Sequence, residues 1–163
     1  MRACVVVGLV FALACMAVAG DAPRQRPNSA AGAFVSAELA GEVIKWQIDL
    51  GADAGKKTYE MTADVKVTYA EKDGVKQASS IRRAGGPDRP AREGTVVVKG
   101  KFVSAKLDGE KVLVTIKPAE GDKDLEVTLP KQLSVYYREE GGKLLAYGIG
   151  VPHTHSTPKA EAK

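Results

Sequence analysis

An eleven-residue stretch occurs twice in the chain and constrains its fold more than any other feature. GAFVSAELAGE begins at Gly32, and GKFVSAKLDGE begins at Gly100, sixty-eight positions later. Eight of the eleven aligned residues are identical, whereas unrelated segments would share about one by chance. We interpret this as an internal duplication, which concerns the architecture of the protein rather than its activity.

The similarity continues downstream of each copy. The same apolar alternation recurs, with Ile44, Trp46 and Ile48 aligned with Val112, Val114 and Ile116. A two-residue deletion then aligns Glu60-Met61-Thr62 with Glu126-Val127-Thr128. The repeated units are predicted to span residues 32–83 and 100–151, separated by an Arg-rich connection and lead-in strand over residues 84–99.

The first nineteen residues are predicted to be a secretory signal peptide. Arg2 gives a positive start, an apolar run follows, and Ala17-Val18-Ala19 before Gly20 is a small-x-small cleavage pattern. This predicts cleavage after Ala19 and export to a bacterial periplasm or beyond. An uncleaved anchor is one alternative, since the run approaches the roughly 17–25 residues that span a bilayer. A lipoprotein modified at Cys15 is another.

Removal of the signal peptide would change the cysteine content and the charge of the mature chain. Cys4 and Cys15 are the only cysteines, so no disulfide framework or thiolate nucleophile remains. Arg2 is the only charge in the leader, which leaves 23 basic and 20 acidic residues. This balance argues against a nucleic-acid partner. The chain has no second long apolar run, so no transmembrane span is predicted after cleavage.

Period-two patterning predicts an all-β fold. Apolar and polar residues alternate over residues 44–50 and 59–69, as expected for antiparallel strands with one wetted face. About nine strands with short turns are predicted, and no helical period exceeds two turns. A unit of roughly fifty residues would be marginal alone. We therefore expect two tandem quasi-equivalent antiparallel units sharing one core, as a barrel or sandwich, with two adjacent small barrels as the alternative.

The clearest hairpin signal is Asp108-Gly109, a dipeptide that favours two-residue turns with positive φ. This turn would place Ala105 opposite Val112. A three-residue bulged turn ending at Gly109 is the second choice. It is also the expectation for the first copy, where Ala40-Gly41 puts alanine in a position that disfavours it.

Segments outside the repeats lack periodicity. Residues 20–31, rich in Ala, Arg, Pro, Asn and Ser, are predicted to be a flexible tether. Residues 152–163 are predicted to be a disordered tail.

The densest positive charge is Arg82, Arg83, Arg89 and Arg92 within IRRAGGPDRPAREG. Guanidinium groups match carboxylate, sulfate or phosphate, so the cluster is a candidate anion site. The plainer interpretation, which we favour, is a solvated connection whose charges keep it soluble.

Tyr136 is the candidate aromatic contact for a ligand such as a sugar ring. It aligns with Thr68 on a polar face, whereas Tyr137 aligns with Tyr69 and is expected in the core. The favoured alternative for Tyr136 is a cross-strand packing tyrosine, which strands commonly carry.

His153 and His155 are the only histidines and could both face a metal from an extended segment. No cysteine or third histidine completes a ligand set, so adventitious binding is favoured and no cofactor is predicted. No nucleophile elbow, phosphate-binding glycine loop or Ser/His/Asp order is present.

The pattern of a Gly-x-Phe-Val-Ser start, a hairpin, and Glu-x-Thr and Val-x-Tyr strands before a Gly turn resembles small OB-like or SH3-like β-barrel repeats of secreted bacterial proteins of unknown function. The resemblance covers most of residues 32–151 and implies a unit without catalytic residues.

These features together predict an exported, non-enzymatic β module that binds or scaffolds at the cell envelope. Its partner would be an anionic envelope polymer or another envelope protein. The alternative is a periplasmic carrier with a small apolar or anionic ligand inside the barrel, which would require an apolar cavity of several hundred Å³. An enzyme is the least favoured class.

Overall fold

The computed structural model describes residues 28–86 and 93–152, and these residues form ten β-strands. The strands are β1 Asn28–Ala40, β2 Val43–Asp49, β3 Lys56–Thr62, β4 Asp64–Lys72, β5 Val75–Arg83, β6 Val96–Asp108, β7 Lys111–Pro118, β8 Leu125–Pro130, β9 Gln132–Glu140 and β10 Lys143–Gly150. The all-β prediction is confirmed. Over the same residues, no helix has the length and apolarity needed to cross a membrane. The predicted signal peptide lies outside the described residues.

Hydrogen bonding links the strands into two closed cycles of five. The first cycle runs β1-β2-β3-β10-β9 and returns to β1, and the second runs β6-β7-β8-β5-β4 and returns to β6. Most neighbours are antiparallel, whereas the β3–β10 and β5–β8 pairings are parallel. The cycles are joined where Ala37 pairs with Ala105 and where β10 pairs with β5 around Ile149 and Ile81.

Each cycle takes strands from both predicted units. The first cycle combines β1, β2 and β3 with β9 and β10, and the second combines β6, β7 and β8 with β4 and β5. The chain passes from the first cycle to the second at Ala63 and returns at Lys131. Ala63 N donates to Glu42 O at 2.8 Å, and Lys131 N donates to Glu110 O at 2.9 Å. Neither residues 32–83 nor residues 100–151 contain a complete cycle.

Equivalent pairings in the two cycles differ by 68 residues. Val43 pairs with Thr62, and Lys111 pairs with Pro130. The two-residue deletion in the sequence alignment is therefore wrong, because the spacing between these paired strands is the same in both cycles. The Glu-x-Thr match that suggested a deletion is an accident of composition, since strands favour threonine.

The hairpin turns lie one residue later than the sequence suggested. Asp108 pairs with Lys111, so the central residues of this turn are Gly109 and Glu110, and Ala105 faces Val114 instead of Val112. Only Gly109 has positive φ, at 58°, as in a turn with glycine at its first central position. Asp108 is paired in the strand before this turn, so the Asp-Gly dipeptide did not mark its two central residues.

The first hairpin uses the same turn, which contradicts the expected bulged loop. Ala40 pairs with Val43, and Gly41 takes the positive φ, at 65°. Alanine therefore stays inside the strand and needs no left-handed conformation.

The long first strand of each predicted unit bends and pairs with two neighbouring strands. Residues 28–33 of β1 pair with β9, residues 33–40 pair with β2, and the β2 register shifts between Phe34 and Ser36. The register of β6 shifts at the corresponding point, between Phe102 and Ser104. Such bulges bend a strand and let it turn a corner. Because β1 begins at Asn28, the last four residues of the predicted tether belong to a strand.

The interior is filled by one cluster of buried apolar side chains. Trp46 is fully buried, and its ring lies 6.0 Å from that of Phe34 and 5.5 Å from that of Phe102. Phe34 belongs to the first cycle and Phe102 to the second, so Trp46 joins the two interiors. The expectation of a shared core agrees with this packing.

Candidate anion-binding face

Strands β5, β10 and β9 lie side by side and bring two predicted site residues onto one face. Gly148 on β10 pairs with Arg82 on one side and with Tyr136 on the other. Residues directly opposite each other in antiparallel strands project from the same face. Arg82 and Tyr136 therefore share a face, with roughly 10 Å between their backbones. No side chain stands between them, since the intervening residue is glycine.

The glycine at position 148 makes room for the arginine. A Cβ atom built there would lie 3.1 Å from Arg82 Cγ, so the aliphatic part of Arg82 extends over the glycine. Guanidinium side chains commonly lay their stems along a surface and present the charged end to solvent or ligand.

Two more guanidinium groups flank the neighbouring tyrosine. Arg83 Cζ lies 4.8 Å and Arg138 Cζ 5.1 Å from the ring centroid of Tyr147. Tyr147 lies at the bulge where the β9–β10 register shifts. A cation over an aromatic ring is stabilised by the ring quadrupole, by about 0.5–1 kcal/mol at exposed sites. The Oη of Tyr147 is buried and has no hydrogen-bond partner.

Lys66 and Arg138 add positive charge beside Arg82 and Arg83. Lys66 on β4 pairs with Arg82 on β5, is 9% exposed, and donates from Nζ to Gly86 O at 3.4 Å. Arg138 Nη1 lies 3.8 Å from Glu140 Oε1, but both side chains are more than half exposed, so the pair is weak. We call Lys66, Arg82, Arg83, Arg138, Tyr136 and Tyr147 the basic face.

The strand register places the predicted site residues Arg82 and Tyr136 on one face. Arg83, the third, is connected to this site through its contact with the ring of Tyr147. Arg89 and Arg92 lie outside the described residues, and so do His153 and His155. Tyr136 is half-buried, so it is only partly available for contact. Tyr137 packs against the core, with its ring 5.1 Å from that of Tyr59.

Sequence reasoning missed Lys66, Arg138 and Tyr147. Arg138 and Tyr147 meet within the β9–β10 hairpin, and Lys66 lies opposite Arg82 in the β4–β5 hairpin. Arg83 reaches Tyr147 only because β5 lies beside β10, a pairing that no local pattern indicates. One signal was present: at the 68-residue spacing Tyr147 corresponds to Ser79, and Arg138 corresponds to Ala70. The basic face occurs where the two halves differ.

Other surfaces are weaker candidates. A depression of about 270 Å³ is lined by Lys57, Thr58, Glu60, Gly142, Lys143 and Leu144. Its Lys143 Nζ lies 3.2 Å from Glu60 Oε2, so the charges there neutralise each other. Within residues 28–86 and 93–152, no group of three or more His, Cys, Asp or Glu residues is placed to hold a metal ion.

Comparisons with protein-family models, with curated proteins and with solved structures found no match for the chain. The resemblance to OB-like or SH3-like repeats stays a prediction. The basic face is therefore interpreted from its own chemistry.

Proposed function

We propose that this protein is an exported, non-enzymatic β module that binds an acidic polysaccharide of the cell envelope through its basic face. The arrangement of Arg83 and Arg138 around the ring of Tyr147 carries the proposal. Both guanidinium groups lie within 5.1 Å of the centroid of one ring. Neighbouring carboxylates of one acidic polymer could therefore accept forked hydrogen bonds from both.

The mixture of arginine and tyrosine favours an acidic sugar polymer over a small anion. Guanidinium groups match sugar carboxylates, and the ring of Tyr136 can contact the apolar side of a pyranose. The residues span β5, β10 and β9 in adjacent rows. An extended polymer can contact several rows at once, which raises its affinity over that of a single sugar.

The filled interiors favour surface binding over the alternative of a carrier. Trp46 and Tyr59 are fully buried in the first cycle, and Ile81 and Ile116 are fully buried in the second. Side chains of this size occupy the space that a carrier would reserve for a ligand of drug-like volume.

The architectural part of the proposal is that each cycle is an OB-like barrel and that the two arose by duplication. Five strands closed on one another, with a long bent first strand, are in keeping with such a barrel. The constant spacing of 68 residues between equivalent pairings supports the duplication. OB-like barrels bind polymers on a strand face and its flanking loops.

The test is binding of sodium polygalacturonate, measured by calorimetry at low salt, with neutral dextran as the uncharged probe. Arg83→Ala combined with Arg138→Ala should weaken binding at least about tenfold, since each charge-assisted hydrogen bond contributes about 1.5–3 kcal/mol. Lys117→Ala combined with Lys123→Ala removes the same charge at exposed sites on and after β7 and should change affinity less than about twofold.

Equal effects of the two double variants would contradict the proposal, because they would indicate general charge attraction. Stronger binding of single-stranded DNA, or of anionic lipid vesicles, than of polygalacturonate would overturn the choice of ligand. Arg83→Lys with Arg138→Lys separates charge from geometry, and we expect it to restore only part of the affinity.

A further inference from the structure

The connections between β3 and β4 and between β8 and β9 are each a single residue. β3 ends at Thr62 and β4 begins at Asp64, which leaves only Ala63 between them. β8 ends at Pro130 and β9 begins at Gln132, which leaves only Lys131. At both connections the chain leaves one cycle and enters the other.

A connection this short cannot let one unit close on itself. In the first cycle β9 lies two strands from β3, with β10 between them. Glu60 on β3 lies opposite Leu145 on β10, which lies opposite Arg138 on β9. In the direction in which β3 runs from Glu60 to Thr62, β9 extends six residues from Arg138 to Gln132. Gln132 therefore lies farther along this direction than Thr62. If β4 took the place of β9, Asp64 would lie roughly 10 Å sideways from Thr62 and more than about 10 Å farther along.

One intervening residue spans much less. The Cα atoms of Thr62 and Asp64 can be at most about 7 Å apart. The β4–β5 hairpin therefore cannot reach the open side of its own β1–β3 strands. Its register nevertheless matches, at a spacing of 68 residues, that of the β9–β10 hairpin, which occupies this side.

We infer that the open side of each three-strand half is an interaction surface for the two-strand hairpin of a second copy of the same unit, and that the one-residue connections at Ala63 and Lys131 enforce this exchange. Within one chain, the other half supplies that second copy. Covalent linkage gives it an effective concentration in the millimolar range, so the exchange closes within the chain. Short connections are a general cause of strand exchange between copies.

Cysteine pairs distinguish exchanged from self-closed strands in the intact chain. Ala33 pairs with Gln132 across the exchange, and in a self-closed unit Asp64 would take the place of Gln132. In a chain with Cys4 and Cys15 replaced by serine, Ala33→Cys with Gln132→Cys should form an intramolecular disulfide almost completely under mild oxidation. Paired antiparallel positions have the Cα separation that a disulfide needs.

The matched variant is Ala33→Cys with Asp64→Cys, which should show only background cross-linking. Asp64 instead pairs with Lys101, so Asp64→Cys with Lys101→Cys should cross-link as well as the first pair does. Cross-linking of positions 33 and 64 in preference to 33 and 132 would overturn the inference. This readout requires no change to either connection.

Lengthening the connections tests whether their length enforces the exchange. Eight Gly/Ser residues inserted after Ala63 and again after Lys131 would let each hairpin fold back onto its own half. Cross-linking between positions 33 and 64 should then rise from background to a major fraction, and that between 33 and 132 should fall. An unchanged cross-linking pattern would show that connection length does not enforce the exchange.

Discussion

At the residue scale, three buried polar side-chain atoms in the described part of the chain lack hydrogen-bond partners: Trp46 Nε1, Tyr59 Oη and Tyr147 Oη. An unsatisfied buried polar group costs about 1–3 kcal/mol. Trp46 offsets its cost by joining the two interiors through Phe34 and Phe102.

Tyr59 gives a prediction about pH. Burial, and secondly the charge of nearby Tyr137, raises the pKa of Tyr59 above its ordinary value of 10.0. The folded state therefore holds this proton more tightly than the unfolded state does. Its contribution to stability is complete below pH 10 and is lost as the pH rises from 10 through the folded pKa.

Tyr59→Phe removes both the unsatisfied hydroxyl and this titration. We expect the midpoint of alkaline unfolding to move to higher pH, while the free energy of unfolding at pH 7 changes by less than about 1.5 kcal/mol. Urea denaturation at pH 7 and over a series above pH 9 measures both quantities. A loss of stability that is the same at every pH would contradict the prediction.

At the element scale, β1 and β6 depend on a glycine at the same point before the bend. A Cβ on Gly32 would collide with the carbonyl oxygen of Asp49, and one on Gly100 would collide with that of Lys117. The Cγ2 atoms of Ile48 and Ile116 would also lie within 2.9 Å. Glycine is needed here for close approach of the backbones.

Gly32→Ala and Gly100→Ala should each lower the free energy of unfolding by about 2 kcal/mol or more, since backbone atoms must move to make room. Gly85→Ala is the matched control, because a Cβ there meets nothing within 4 Å, and it should change stability by less than about 0.5 kcal/mol. Urea denaturation gives all three values. Equal effects at all three sites would disprove the steric explanation.

At the scale of the whole molecule, every described strand has hydrogen-bonded neighbours on both sides. No described strand therefore has an edge that is unpaired over its whole length, the kind of edge that favours aggregation. Six of the twelve strand pairings join strands that are not consecutive in the chain. We therefore expect slow folding compared with a helical protein of this size.

The exchange also predicts what happens when the chain is cut. A protease site inserted after exposed Gly85 divides the protein between β5 and β6. Each cycle contains strands from both fragments, so the cut protein should elute from a sizing column as one particle with the mass of the uncut chain. Its thermal midpoint should fall on dilution, because the tether no longer supplies effective concentration.

The uncut protein with the same inserted site is the control, and its thermal midpoint should not depend on concentration. Two separately eluting folded fragments would mean that each half closes on itself. That result would also contradict the strand pairings between β1 and β9 and between β4 and β6.

The sequence alone determined the strands and several site residues. Alternation over residues 44–50 predicts β2 because period two is a property of each strand by itself. The single run predicted over residues 59–69 covers parts of β3 and β4, and the pattern does not indicate the break at Ala63. The position of Tyr136 on its strand follows from the same local pattern, whereas Arg83 was predicted in a connecting loop and is the last residue of β5. Turn placement was less accurate, since Asp108-Gly109 suits two turn types that differ by one residue.

Only the tertiary structure decided which strands pair with which. The two halves carry nearly the same pairing edges, so no local pattern distinguishes a hairpin's own half from the other half. The choice is made by the reach of a single residue, Ala63 or Lys131, which is a property of three-dimensional distance. Arg83 and Arg138 meet at Tyr147 for the same reason, because the β5–β10 pairing forms only once the cycles have assembled.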